Sequence, residues 1–245
     1  MKKAAIVQAR TGSTRLPGKV LLDLAGRPVL ARVIERLREC RKLDEIIVAT
    51  SSRKGDDAIE ELCLELATPC FRGSEDDVLD RFYQAARSHK ADTIIRITAD
   101  CPLIDPALID RMITLFTELD PPADYLSNTL KRTYPRGLDA EIFSFQALEK
   151  AWRKASHPAE REHVTPYIYR RPEEFRLAGY AAGPDLSHHR WTLDTPEDYA
   201  LIRALYEALY RPGQSFGMME IVNFLDTRPK LYAVNRKIVQ KETGL

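Results

Sequence analysis

Lys3-Ala-Ala-Ile-Val-Gln-Ala9, followed at once by Arg10-Thr-Gly12-Ser-Thr-Arg15-Leu-Pro17-Gly18-Lys19, decides the fold. The first seven residues read as a short buried strand. The next ten pack three cations, two glycines and three hydroxyls into one loop. A loop of this kind at the carboxyl end of a first strand is where an open α/β sheet binds an anionic ligand. Glycines let the backbone approach closely, and N–H groups, Arg and Lys then surround a polyphosphate.

The loop is not a P-loop. That motif needs four residues between its glycines and a Ser or Thr after the Lys. Here five residues separate Gly12 from Gly18, Val20 follows Lys19, and Pro17 stiffens the centre. A solvated basic turn would suit the spread of cations, but not two glycines directly after an apolar strand.

The whole chain narrows the classes. Its 245 residues fit one α/β domain, or one domain with a small lobe. Composition is that of a soluble globular protein, with 44% hydrophobic and 30% charged residues. A net charge of +1 gives no global field toward nucleic acid or membrane, so the basic loop is a local feature. No apolar run reaches membrane-spanning length. The apolar stretch after the N-terminal lysines is short and ends in Gln8 and Arg10, as a strand does and a signal peptide does not. Cys40, Cys63, Cys70 and Cys101 form no C-x-x-C pair, which points to reduced thiols in a cytoplasm and to neither zinc nor a disulfide frame.

Strand and helix patterns alternate through the first half. Strands are expected at 44–50, 69–71 and 92–98, and helices at 56–66, 75–88 and 106–119. Ser74 is the expected cap of the second helix, and Pro106 opens the third. This order predicts a mostly parallel sheet with right-handed crossovers. After Pro121-Pro122 the rhythm changes to short strands (123–128, 139–144, 175–181, 188–193) mixed with helices near 145–155, 159–170, 196–209 and 217–225. The organisation expected is one domain over 1–245, with a nucleotide-binding half (1–120) and an acceptor-binding, closing half (121–245).

Two carboxylates end strands. Asp100, in Ala99-Asp100-Cys101-Pro102, reads equally as a Mg²⁺ ligand facing the crevice and as a turn former before a proline. In Arg190-Trp-Thr-Leu-Asp194-Thr-Pro196-Glu-Asp198, Thr195 caps a helix that Pro196 opens. A cap accounts for Thr195 and Asp198 but leaves Asp194 free to be a second metal ligand. Arg72-Gly73-Ser74 could read a base or ribose, or only turn the chain into a helix. Asp139 and Glu141 share one face of a strand at period two and suit a polyol acceptor or a salt bridge. Arg136, His188 and Arg190 are candidates for an acceptor carboxylate, to which Arg presents a planar fork. His163 lies in Glu160-Arg-Glu-His163, which is not a zinc-protease motif, and carries little weight.

The opening motif, continued by Leu22-Asp-Leu-Ala-Gly26-Arg-Pro28, resembles the cytidylyltransferases that activate acidic sugars, including those making CMP-activated acylneuraminate and 3-deoxy-manno-octulosonate. Within that group the chain is most similar to the spore coat polysaccharide biosynthesis protein F branch. Its marks are Arg72-Gly-Ser-Glu-Asp-Asp-Val-Leu-Asp-Arg81, Ala99-Asp100-Cys-Pro102-Leu, Pro135-Arg-Gly-Leu-Asp139-Ala-Glu141, Arg161-Glu-His-Val-Thr-Pro-Tyr167 and Leu193-Asp194-Thr-Pro-Glu-Asp198. The resemblance implies a nucleotide-diphospho-sugar transferase fold of three α/β/α layers. It implies that Arg10, Ser13, Arg15 and Lys19, around Gly12, hold CTP phosphates, with Asp100 and Asp194 on Mg²⁺. Gln8, Ala9 and Arg72 would read the base, and Arg15, Lys19 and Asp100 would carry catalysis. The octulosonate enzymes have Gly-Asp-Glu-Pro where this chain has Ala99-Asp100-Cys101-Pro102, so the acid beside the metal-binding Asp is absent. The partners implied are CTP and a small acidic sugar, with no nucleic acid and no membrane. A homodimer stays open, since no apolar stripe marks an interface. A glycosyltransferase, a nucleotide sensor and a uridylyl or guanylyl transferase remain the rival readings.

Overall fold

The computed structural model describes residues 1–239; residues 240–245, assigned above to the closing half, lie outside the described residues. The first strand, β1 (Lys3–Gln8), shows how the layers arise. Successive side chains on a strand point to opposite faces. Ala4 and Ile6 enter one apolar cluster, and Ala5 and Val7 enter the other. A strand so buried on both faces needs helices on both sides of the sheet.

The chain supplies them in turn. A hairpin of β2 (Asp23–Leu24) and β3 (Arg27–Pro28) turns at Ala25 and Gly26, both at positive φ. It leads into α1 (Val29–Arg38), β4 (Glu45–Ser51), α2 (Asp57–Glu65), β5 (Cys70–Gly73), α3 (Val78–Ser88), β6 (Thr93–Thr98) and α4 (Pro106–Glu118). Then come β7 (Tyr125–Ser127), β8 (Glu141–Ser144), α5 (Phe145–Lys154), α6 (Pro158–His163), α7 (Pro166–Tyr169) and β9 (Leu177–Gly179). Helices α8 (Pro196–Leu209), α9 (Met218–Asp226) and α10 (Pro229–Tyr232) complete the order.

Seven strands form one sheet in the order β5-β4-β1-β6-β8-β7-β9. Strand β8 pairs antiparallel with both of its neighbours, and every other pair is parallel. Residues of α1, α2, α4, α8 and α9 pack on one face, and residues of α3, α5 and α7 on the other. This is the mostly parallel, three-layer α/β sheet expected. The chain leaves β1 toward β4 and β5 on one side, then crosses to β6 on the other. The order therefore reverses between β1 and β6, the place where such sheets bind ligands beyond their carboxyl ends. Among the described residues, no helix is long and apolar enough to cross a membrane.

Several expectations are corrected. Helix α3 starts at Val78, and Asp77 is its cap, accepting from Asp80 N at 2.9 Å. Ser74 instead closes a turn before the helix, accepting from Asp77 N at 3.0 Å. The helix expected at 159–170 is two short helices, because Val164 takes φ 72° between them. Residues 188–193 form no strand. A single bridge joins Arg190 to Arg136, and a Cβ on Gly137 would meet the Trp191 backbone at 2.4 Å, so the two segments are in close contact without forming a ladder. Strands expected at 123–128, 139–144 and 175–181 are shorter, at the bounds given above. Helix α1, the β2–β3 hairpin and α10 have no counterpart in the sequence reading. Thr195 and Asp198 form the expected cap of α8, with the reciprocal bonds of a capping box.

The basic loop is held by one buried carboxylate. Asp56, just before α2, accepts from Thr11 N and Thr11 Oγ1, both at 2.7 Å, and from Ser51 N at 3.3 Å and Ser51 Oγ. Burial alone would raise its pKa, but these donors overcome burial and hold the group below its ordinary 3.8. The carboxylate therefore gives its full stability above that value and loses it as pH falls through the lower folded one. Asp56→Asn offers one oxygen where two are used. It is expected to cost about 1–3 kcal/mol in denaturant unfolding and to remove this component of acid sensitivity. An unchanged midpoint and acid profile would disprove the clasp.

Candidate active site

The carboxyl ends of β1 and β6 open into a cavity of about 440 Å³ lined by Gln8, Arg10, Gly12, Ser13, Arg15, Lys19, Thr98, Asp100, His163 and Asp194, among others. Gly18, at φ 68°, turns the loop into the short 3₁₀ turn Lys19–Leu21 that aims Lys19 inward. Its Nζ lies 2.6 Å from Asp100 Oδ2 and 2.8 Å from Asp194 Oδ1. Arg15 reaches Asp194 Oδ2 at 2.9 Å, and Arg190 touches the same oxygen at 2.9 Å. Burial would lower the Lys19 pKa, but Asp100 and Asp194 raise it above its usual value. Burial would raise that of Asp194, but Lys19, Arg15 and Arg190 together hold it below its usual value. Arg10 makes no ion pair among the described residues, Ser13 Oγ accepts from Leu16 N at 3.4 Å, and both residues line the cavity.

Behind Arg190 a buried network fixes Asp194. The fully buried Asp198 accepts from Arg190 Nε at 2.9 Å and from the backbone N–H groups of Asp194 and Thr195 at 3.0 and 3.1 Å. The α8 cap thus orients a carboxylate of the crevice. Asp100 and Asp194 present hard oxygens to one point that the Lys19 ammonium occupies, which is the donor chemistry of a magnesium site completed by substrate phosphates. Among the described residues, no group of three or more acids, histidines and cysteines is placed to hold a metal ion.

A second cavity, of about 530 Å³, adjoins the first, sharing Thr98 and His163 with it. Asp139 and Glu141 both line it, as their common face suggested. Each is paired with a cation: Arg132 binds Asp139 in bidentate fashion at 2.6 and 3.0 Å, and Arg96 binds Glu141. Glu141 also accepts from Tyr125 and Thr165 hydroxyls at 2.6 Å each. Three threonine hydroxyls, a tyrosine and two Arg–carboxylate pairs give the cavity a polar wall suited to a hydroxyl-rich molecule that carries charge.

Other candidates lie elsewhere. Ala9 is buried and its N–H is spent on Ala49 O. Arg72 does not line the crevice; it is taken up by Asp57, Glu60 and the carbonyls of Ser51 and Arg53. Arg136, His188 and Arg190 come together, but in a third cavity of about 230 Å³ behind Asp194, with His189, Trp191 and Asn235. His188 is exposed and His189 buried, and both line this third cavity.

Sequence reasoning missed Arg96, Arg132 and Thr98, and gave His163 little weight. Arg96 carried a signal. A cation inside Thr93-Ile-Ile-Arg96-Ile-Thr98, a central strand, requires a buried partner, and β-register places Glu141 directly across from it. Arg132 carried none, since it reaches the cavity from irregular chain, and His163 carried only its place in the Arg161–Tyr167 mark, because the packing of a short helix brings it to the cavity.

Residues 4–216 match the sequence model of the family described as Cytidylyltransferase. The spore coat polysaccharide biosynthesis protein SpsF of Bacillus subtilis is 36% identical over 233 residues, covering 91% of this chain and 94% of that protein. The 3-deoxy-manno-octulosonate cytidylyltransferase of Geobacter metallireducens is 32% identical over 203 residues, covering 73% and 78%. The solved structure of a cytidylyltransferase from Leptospira borgpetersenii superimposes with a TM-score of 0.91 at 33% identity, covering 99% of this chain and all of that one. With its loop and its two opposed carboxylates set in that shared frame, the chain belongs to the cytidylyltransferase family.

Proposed function

We propose that the protein transfers CMP from CTP to an acidic sugar of the nonulosonate or octulosonate type, releasing pyrophosphate, in the cytoplasmic supply of surface polysaccharide. The observation that carries this reading is the junction of two cavities. One is ringed by the cations of the first loop and suits a triphosphate. The other has the polar wall of a sugar site and meets the first at Thr98 and His163. A triphosphate in the first and a sugar in the second bring the α-phosphorus and a hydroxyl together at that meeting point. The names of two relatives, one in polysaccharide biosynthesis and one acting on an octulosonate, support the acceptor class.

In this reading Arg10, Ser13 and Arg15 take phosphate oxygens, and Gln8 lies beside the base. Lys19 leaves the carboxylates for the phosphate chain as negative charge builds on the leaving pyrophosphate, where a positioned cation stabilises the transition state. Asp100 and Asp194 would hold Mg²⁺, which when bound supplies charge neutralisation to the phosphates. Asp139 and Glu141, with Arg132 and Arg96, orient the acceptor. We place the acceptor carboxylate here, because Arg136, His188 and Arg190 lie behind Asp194 in the third cavity.

The test is thermal melting with CTP, UTP, ATP and GTP, with and without Mg²⁺, followed by a pyrophosphate-release screen across sugar acids. CTP at a hundred times its dissociation constant is expected to stabilise the fold by about 2.7 kcal/mol, selectively and more strongly with Mg²⁺. Equal stabilisation by all four nucleotides, or none, would disprove the donor assignment. Lys19→Ala is expected to lower turnover per folded molecule on the order of a hundredfold or more, with the folded fraction measured by circular dichroism. Turnover at the wild-type rate would remove Lys19 from the chemistry.

A further inference from the structure

His163 occupies the one place where a side chain of α6 meets both cavities. Only Thr98 shares that position, and the Thr98 hydroxyl is already bound to Asp100 Oδ1 at 2.6 Å. Among the described residues, the imidazole of His163 makes no hydrogen bond, so a ring nitrogen is available at the junction.

The backbone beside it is strained. Val164 adopts φ 72° and ψ −56°, and Thr165 N donates to His163 O at 2.9 Å. This is a three-residue γ-turn of the positive-φ kind, rare for any residue and rarer for a β-branched one. Strain of this sort persists only where surrounding structure imposes it, and it gathers at functional sites. The surroundings here are firm on both sides. Before the turn, Arg161 grips Asp77, the cap of α3, and donates to Trp152 O at 2.7 Å, and Glu160 binds Arg171 at 2.8 Å. After it, Thr165 is tied to Glu141, and Val164 is fully buried. The turn ends α6 at His163 and holds the backbone of that residue beside the junction.

Resting on the cytidylyl-transfer reading, we infer that His163 is the proton acceptor for the attacking hydroxyl. The acceptor O–H gives its proton to a ring nitrogen of His163 as its oxygen bonds to the α-phosphorus of CTP. The bond from that phosphorus to the α,β-bridging oxygen breaks, and its electron pair leaves with pyrophosphate. The imidazolium then passes its proton to water. The groups facing the ring favour the neutral base. Burial lowers its pKa, as do Arg96 of β6 and Arg10 of the loop, against the opposing pull of Glu162 beside it and Glu141 of β8, and the net shift is below 6.5. Tyr169 of α7 lines the same cavity.

The experiment compares wild type, His163→Gln and His163→Asn for CTP-induced thermal stabilisation and for pyrophosphate release with 3-deoxy-manno-octulosonate and the sugar acids of the screen, from about pH 5 to pH 8. Wild-type turnover is expected to rise with pH through an ionisation below 6.5 and then level off, because the base must be neutral. The variants are expected to keep CTP stabilisation, lose about 10²–10⁴-fold in turnover and lose that acid limb. A variant that turns over normally, or keeps the limb, overturns the inference alone. A wild type with no acid limb also overturns it, even where neither variant folds. A wild type that releases no pyrophosphate with any acceptor overturns the cytidylyl reading itself and the inference with it.

Discussion

One ammonium group between two carboxylates organises the molecule. Lys19 leaves the first loop and meets Asp100, 81 residues later, and Asp194, 175 residues later. Without a cation between them the two acids would repel across a largely enclosed space. The contact joins the end of β1, the end of β6 and the entry to α8, and so closes the second half of the chain onto the first. It also holds in one place the charges that any polyphosphate and its counter-ion would rearrange. A folded state secured by this contact is therefore already shaped for an anion, since Lys19 can exchange a carboxylate for a phosphate oxygen without leaving the cavity.

The reversed strand β8 performs the matching task for the acceptor cavity. By running against β6 it sets Glu141 across from Arg96 in the middle of the sheet. Removing two charges from water is costly, and further hydrogen bonds offset part of that cost here, although the buried Arg96 Nε has no hydrogen-bond partner among the described residues. Tyr125 and Thr165 donate to Glu141, and Gln8 Oε1 accepts from Arg96 at 3.1 Å. Gln8 thereby belongs to both networks: it ends the strand that begins the phosphate loop, and it steadies the pair in the sugar wall. The two cavities are in this sense built on one set of polar contacts across the sheet.

Legibility followed locality. The first strand, its glycine-bearing loop and the capped start of α8 depend on neighbours within a few residues, and the pattern of residues was enough to read them. Asp100 and Asp194 could be picked out because each follows a short apolar run, although the one before Asp194 forms no strand and the convergence of both on Lys19 could not be read. Helix α1 was legible in its apolar spacing, Leu30, Val33, Ile34 and Leu37, but went unread between the motif that stops at Pro28 and the strand expected from residue 44. Arg72 misled in another way. Its position after a strand suggested the crevice, but Asp57 and Glu60 on the neighbouring helix draw it aside, and only the packing of α2 brings them near. His163 looked ordinary because the segment read as one longer helix without metal-binding spacing, and the unusual backbone of Val164 has no sequence marker at all.

The far end of the chain is wired to the crevice. Asn235 is buried, and its side-chain amide donates to Arg190 O at 2.9 Å and to Asp198 Oδ1 at 2.8 Å. Asp198 in turn holds Arg190 and the backbone of Asp194. A truncation before this residue, or a bulky tag that crowds it, therefore acts on Asp194 from behind without altering any residue that lines the crevice. The practical consequence falls on protein production: a preparation cut before Asn235 is expected to lose ligand affinity through a slackened carboxylate.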